Sequence, residues 1–264
     1  FTPVFRAIVP EIIGEEKAYT KGLSCARLSY DFENLASPAL AAGLLFIWSF
    51  DSLFVANSAT FVLSAILLVT TILTKAAPTY RDGGFYANTI FGVVSYLKTP
   101  RLRGLLAVYF AVSCVGAMII VNTVVLTRGI LGGSALRTTA LLAWAGGGSM
   151  AAAFIIPRVI DQIGERRLMM MGIISAATLM VLGAVLLTIG WEDTISFAVL
   201  WTIAGAGSTF AQTPGGRLVQ RSAGAGDRSA FFAANFALSH GGWLIAYGVV
   251  GWLGSLAGLS YAFL

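Results

Sequence analysis

Seven stretches of this chain are each apolar over close to the length a bilayer demands: Leu35–Phe50, Leu53–Leu73, Leu105–Leu126, Thr138–Ile156, Leu168–Gly190, Ile195–Ala211 and Phe231–Leu253. A hydrocarbon core takes roughly 20 apolar residues of α-helix. The longer runs meet that alone and the shorter ones with their flanks. Only 11% of the 264 residues are charged, against about 25% in soluble domains, and no soluble core could bury so much apolar chain. The runs are continuous rather than alternating, so they predict helices and not a barrel. Thirty glycines spread through them suit close helix–helix contact.

The net charge of +5 invites a nucleic-acid reading, but position argues against it. All lysines and arginines except Arg128 and Arg137 fall in one alternate set of inter-run segments. That asymmetry is the positive-inside signal and puts the cation-rich set in the cytoplasm. The segments Ser49–Ser52, Arg128–Arg137 and Trp191–Thr194 then lie outside. Cys25 and Cys114, one near the cytoplasmic face and one inside a run, imply neither a disulfide nor redox chemistry. The chain opens on Phe1-Thr2-Pro3 and stops within an apolar run at Leu264, which leads us to expect a piece of a longer protein.

The longest polar interval, Lys75–Arg103, contains Pro78, Asp82-Gly83-Gly84 and Pro100. Inside it Ile90, Val93, Val94 and Leu97 recur at helical spacing, which predicts an amphipathic helix lying on the membrane surface. The interval divides the chain into residues 1–75, a linker 76–103 and residues 104–264. Upstream, Pro10–Lys21 reads as a charged cytoplasmic segment, with a helix entering the membrane near Leu28. Downstream, Gly205-Ala206-Gly207-Ser208-Thr209 and Gln212-Thr213-Pro214-Gly215-Gly216 either loosen one helix beside a substrate cavity or serve close packing.

Four stretches together resemble the major facilitator superfamily, in particular its bacterial exporter-like branch of enterobactin and drug exporters. Pro3–Glu11 is similar to the segment that closes the fourth helix there. Asn34–Gly43 resembles the fifth-helix antiporter motif, with Ser37 before Pro38 and Ala41 and Ala42 in place of the paired glycines. Pro157–Arg167 resembles the loop between helices eight and nine through Asp161, Gly164, Arg166 and Arg167; Pro157, Gln162 and Glu165 depart from it. Asp227–Phe231 is similar to the start of the eleventh helix. The resemblance implies an all-α membrane bundle, truncated, running from the end of helix four to the start of helix twelve, with about seven complete transmembrane helices. The 1–75 piece would close the N-terminal bundle, and 104–264 would form most of the C-terminal one. It further implies proton-coupled efflux of a small drug- or siderophore-like molecule by alternating access, in a multi-pass protein of the bacterial inner membrane, as a monomer. Asp161, Gly164, Arg166 and Arg167 would form a cytoplasmic gating loop.

Polar groups at membrane depth are costly, so each is a candidate site. Asp31 and Glu33 precede the apolar core of their helix and, two apart, point to nearly opposite faces. Arg27 lies four before Asp31 and can pair with it. The alternatives are an interfacial ion pair or a carboxylate that loads and releases protons. His240, the single histidine, sits in mid-run and is a further proton candidate or a packing residue. Asn122, Gln212 and Asn235 line a substrate path or bond between helices. One histidine and scattered carboxylates do not make a metal site. No phosphate-cradling Gly-x-x-x-x-Gly-Lys-Ser/Thr occurs, so no nucleotide cofactor is expected, nor an enzyme. Tyr30-Asp31, Pro38-Ala39-Leu40 and Gly224-Ala225-Gly226-Asp227 superficially resemble the signatures of an intramembrane aspartyl protease. Their order is wrong, and Asp227 lies beside Arg228 in a loop. A non-transporting sensor or scaffold is the remaining alternative.

Overall fold

The computed structural model describes residues 15–44, 47–70 and 84–263, and every regular element among them is helical. We number them α1 (Glu16–Leu44), α2 (Phe50–Thr70), α3 (Gly84–Lys98), α4 (Pro100–Ala117), α5 (Ala135–Ile163), α6 (Glu165–Thr188), α7 (Thr194–Gln212), α8 (Gly215–Ser222), α9 (Arg228–Leu256) and α10 (Leu259–Ala262). Among the described residues six segments are long and apolar enough to cross a membrane: Asp51–Thr70, Pro100–Ile130, Leu136–Ile163, Glu165–Thr188, Thr194–Ser222 and Arg228–Leu256. The first of the seven sequence runs belongs, as far as Leu44, to α1, which is 29 residues long but also carries Glu16, Lys17, Lys21, Arg27, Asp31 and Glu33. The expected separate charged segment is therefore, from Glu16 onward, the first turns of that helix. Its charges are accommodated because Lys17 and Lys21 are exposed and Glu16 joins an ion cluster at the helix end. The Pro3–Glu11 stretch and residues 71–83 lie outside the described residues.

The helices start and stop where local chemistry says they should. Pro100 opens α4, at a position where its missing N–H costs nothing. Asp193 caps α7 by accepting from the Ser196 backbone N–H at 2.8 Å and from the Ser196 hydroxyl at 2.8 Å. Gly164 alone joins α5 to α6, at φ +84°, a left-handed conformation that a Cβ would strain. Beyond Ala117 the helix continues through two π-helical stretches, Met118–Asn122 and Leu126–Ile130. Thr123 and Thr127 turn their hydroxyls back on the carbonyls of Ile119 and Thr123, a habit that loosens a helix. Nothing in the apolar run signalled this irregularity.

In lipid, apolar surface gives helices little reason to associate, so backbone approach and hydrogen bonds decide packing. Helix α7 is central and lies against both α5 and α6. A Cβ on Gly148 would stand 1.8 Å from the Thr202 carbonyl oxygen, and one on Gly205 would stand 2.0 Å from that of Ala145. Gly172 and Gly207 permit a similar approach of α6 to α7. The glycine run around 205 therefore serves close packing, and the chain breaks only at Thr213–Pro214, between α7 and α8. Helix α9 packs along α4, with Gly116 against Trp243 and Gly254 against Asn122. Helix α1 packs against α5. No described residue of α2 is buried, as suits a helix surrounded by acyl chains.

Candidate functional site

Two polar clusters hold α1 against the rest of the bundle, at different depths. The deeper one begins with the Arg27–Asp31 pair, one helical turn apart, with Arg27 Nε 3.2 Å from Asp31 Oδ2. Both turn toward α5. Arg27 donates to Ser149 Oγ from Nε at 3.2 Å and from Nη2 at 3.1 Å. Ser149 donates its own proton to Asp31 Oδ2. The hydroxyl of Thr209, on α7, lies within hydrogen-bond distance of Ser149 Oγ. A serine has one proton to give, and here Asp31 takes it, so Thr209 is the donor in that second contact. Asp31 is only 6% exposed and Ser149 and Thr209 are buried, whereas Arg27 keeps 22% of its side chain accessible. The carboxylate thus sits buried in a three-helix seam, paired among the described residues with the Arg27 guanidinium.

The second cluster closes the cation-rich end. Helix α8 presents Arg217 and Arg221 one turn apart on one face. Arg217, 5% exposed, lies 2.5 Å from Glu16 of α1, 2.9 Å from Glu165 at the start of α6 and 3.4 Å from Asp161 at the end of α5. Arg221 pairs with Glu16 and, at 3.0 Å, with Glu165. One buried guanidinium therefore ties together four helices, and α1 is held through Glu16. Fifteen residues separate Glu16 from Asp31, about 22 Å of helix rise. Moving α1 away from α5 and α7 means breaking both clusters.

The other predicted residues are placed as follows. Glu33 is exposed and does not join Asp31. His240 is exposed on α9, with Nδ1 2.8 Å from the Phe236 carbonyl oxygen and its ring 3.8 Å from that of Phe236. Asn122 is buried and donates to the Val250 carbonyl at 3.5 Å and to Met118 Sδ at 3.2 Å. Asn235 is buried and accepts from the Tyr96 hydroxyl at 2.8 Å, which ties α3 to α9. Gln212 is half-buried at the end of α7, and its carbonyl accepts from the Tyr109 hydroxyl at 3.3 Å. The expected loop is a single residue, Gly164; Asp161, in the last turn of α5, meets Arg217, while Arg166 and Arg167, in the first turn of α6, are exposed. Ser37, Pro38, Ala41 and Ala42 lie on α1, which runs unbroken through Pro38; their side chains fall outside the described residues. Among the described residues no group of three or more His, Cys, Asp or Glu could hold a metal ion. Ser149, Thr209, Arg217 and Glu165 form the heart of both clusters, and no sequence pattern singled them out for that role.

The family description Major Facilitator Superfamily matches residues 1–246. No curated protein and no solved structure matches the chain. The chain belongs to the Major Facilitator Superfamily and is a multi-pass membrane transporter built as a helical bundle of that family.

Proposed function

We propose that this transporter is a proton-coupled exporter of a small organic molecule, drug-like or siderophore-like, working by alternating access in a bacterial inner membrane. The observation that carries the reading is the burial of Asp31 in the seam between α1, α5 and α7. In our reading α1 and α2 belong to one rocking bundle (residues 1–75) and α4, from residue 104 onward, through α10 to the other (residues 104–264), with α3 and the first turn of α4 in the linker. A proton taken up by Asp31 removes its charge attraction for Arg27 and competes with the Ser149 donor. The seam then loosens from the inside. Asp161, Gly164, Arg166 and Arg167 act as the gating loop, with Arg217 as its latch. Glu33 and His240 remain outside this cluster, so we assign the proton to Asp31 alone. Gln212, at the break between α7 and α8, is the cavity candidate kept; Asn122 and Asn235 bond between helices.

The test is flux in proteoliposomes of the full chain, with ethidium and a catecholate siderophore as cargo, under an imposed pH gradient. Cargo movement should accelerate with the gradient, and Asp31→Asn should abolish that acceleration while Glu33→Gln and His240→Gln keep it. Flux indifferent to the gradient would sink the coupling. An Asp31→Asn protein with the original pH dependence would sink the residue assignment.

A further inference from the structure

Helix α3 has two faces, and one of them turns away from the described bundle. Gly92 and Tyr96 face inward. A Cβ on Gly92 would stand 2.7 Å from the Ala230 carbonyl oxygen, and the Tyr96 hydroxyl reaches Asn235. About 200° around the helix, Ile90, Val94 and Leu97 make an apolar stripe continued by Tyr86. Ile90 is 62% exposed, Val94 41% and Leu97 39%. The helix ends on Lys98, and Arg101 and Arg103 follow on the first turn of α4; all three are exposed. No acidic residue occurs between Gly84 and Arg103. The contacts with Ala230 and Asn235 lie within the first turns of α9, so α3 sits at the cation-rich end of the bundle and not at its middle.

An apolar stripe followed by three cations, with no acidic residue from Gly84 to Arg103, at the edge of a membrane-spanning bundle, matches one surface above others. Acyl chains cover the stripe, and negatively charged headgroups neutralise the cations. We propose that α3 with Lys98, Arg101 and Arg103 is a docking surface for anionic phospholipid of the cytoplasmic leaflet. It holds the linker at headgroup depth through its clamp on α9. The inference is independent of cargo and of proton coupling, and goes beyond the transport reading.

The test places a bimane label at Ile90→Cys in the full chain, with Cys25→Ser and Cys114→Ser. The protein is reconstituted in phosphatidylcholine containing phosphatidylglycerol, and either lipid is supplied in brominated, quenching form. Quenching by both is expected, with phosphatidylglycerol preferred by about fivefold or more, the effect of a single engaged cation. Lys98→Gln with Arg101→Gln and Arg103→Gln should bring the preference to one. Should that triple variant fail to reconstitute, Lys98→Gln and Arg103→Gln singly should each lower it. Lys98→Arg with Arg101→Lys and Arg103→Lys should keep it. Equal quenching by the two lipids in the unaltered cation set overturns the proposal, as does a preference that survives loss of the cations. Absence of quenching by either lipid would mean that protein, such as a second copy of the chain, covers the stripe, and would overturn it equally.

Discussion

Alanine at Gly148 or Gly205 should separate α5 from α7, and the size of the effect follows from geometry. The added carbon would meet backbone oxygens at 1.8 Å and 2.0 Å, where ordinary contact begins at 3.4 Å. No flexible side chain can yield, so the two helices must part by about 1.4–1.6 Å, more than the gap that already forfeits half of the attraction between contacting atoms. Overpacking of this kind costs about 1–3 kcal/mol. With backbone on both sides we place each substitution at the upper end, about 3 kcal/mol, a shift of about a hundredfold in the folding equilibrium. Gly147→Ala is the matched control. A Cβ on that glycine would have nothing within 4 Å, and alanine there gains up to about 1 kcal/mol of helix propensity. The double variant should cost little more than the worse single one, because one separation relieves both clashes. Unfolding of the purified protein by SDS, followed by tryptophan fluorescence, reads all four. Equal midpoints for Gly147→Ala, Gly148→Ala and Gly205→Ala would refute the close approach, and strict additivity would refute the shared gap.

Arg217→Gln should release α1 at the cation-rich end. Its cost is about 1–3 kcal/mol, below the 3–5 kcal/mol of a fully buried pair, because Glu16 and Asp161 keep 45% and 40% of their side chains in contact with water; faster maleimide labelling of Thr20→Cys, at a position now 2% exposed, in a Cys25→Ser and Cys114→Ser background would register it, and unchanged labelling would count against the latch. Thr123→Val strands the Trp201 indole N–H, which now donates to the Thr123 hydroxyl at 2.8 Å with both residues fully buried; the loss of about 1–3 kcal/mol should show in the SDS midpoint. The hydroxyl and backbone N–H of Ser196 hold the Asp193 carboxyl below the ordinary aspartate range. A depressed value means that the cap stabilises above the unfolded-state pKa and is lost as pH falls through the folded one; hydrogen-exchange protection of the Ser196 amide, corrected for intrinsic rate, should fall in acid below about pH 4 and lose that dependence in Asp193→Asn.

The helical plan was legible because lipid admits few solutions. Continuous apolar runs must become helices, and cations must collect on one side. The Arg27–Asp31 pair was legible too, because four-residue spacing puts both on one face whatever the fold. Arg217 was not. In sequence it is one of several arginines in a loop, and only the packed chain shows it 5% exposed among carboxylates from three other helices. From sequence Asn235 either lines a path or bridges helices, and Tyr96, 139 residues away, donates to its side-chain carbonyl oxygen. A polar residue in lipid announces that it needs a partner without saying which.

What chooses the partner here is the glycine contact. Ser149 follows Gly148 directly, and Thr209 lies one turn after Gly205 on the same side of α7. Bare backbone at 148 and 205 lets α5 and α7 come close enough for the two hydroxyls to bond, and that bond leaves the Ser149 proton for Asp31. The glycines and the polar seam are thus one feature, which the sequence presents as two unrelated ones. The coupling has a direct consequence. Gly148→Ala, which touches neither Arg27 nor Asp31, should disconnect Thr209 from Ser149 and, under the proposed proton coupling, alter the pH dependence of transport along with stability. Leu or Val at the exposed Gly147 should leave that pH dependence in place. A Gly148→Ala protein that loses stability but keeps its original pH profile would show that the seam assembles without the close approach of α5 and α7.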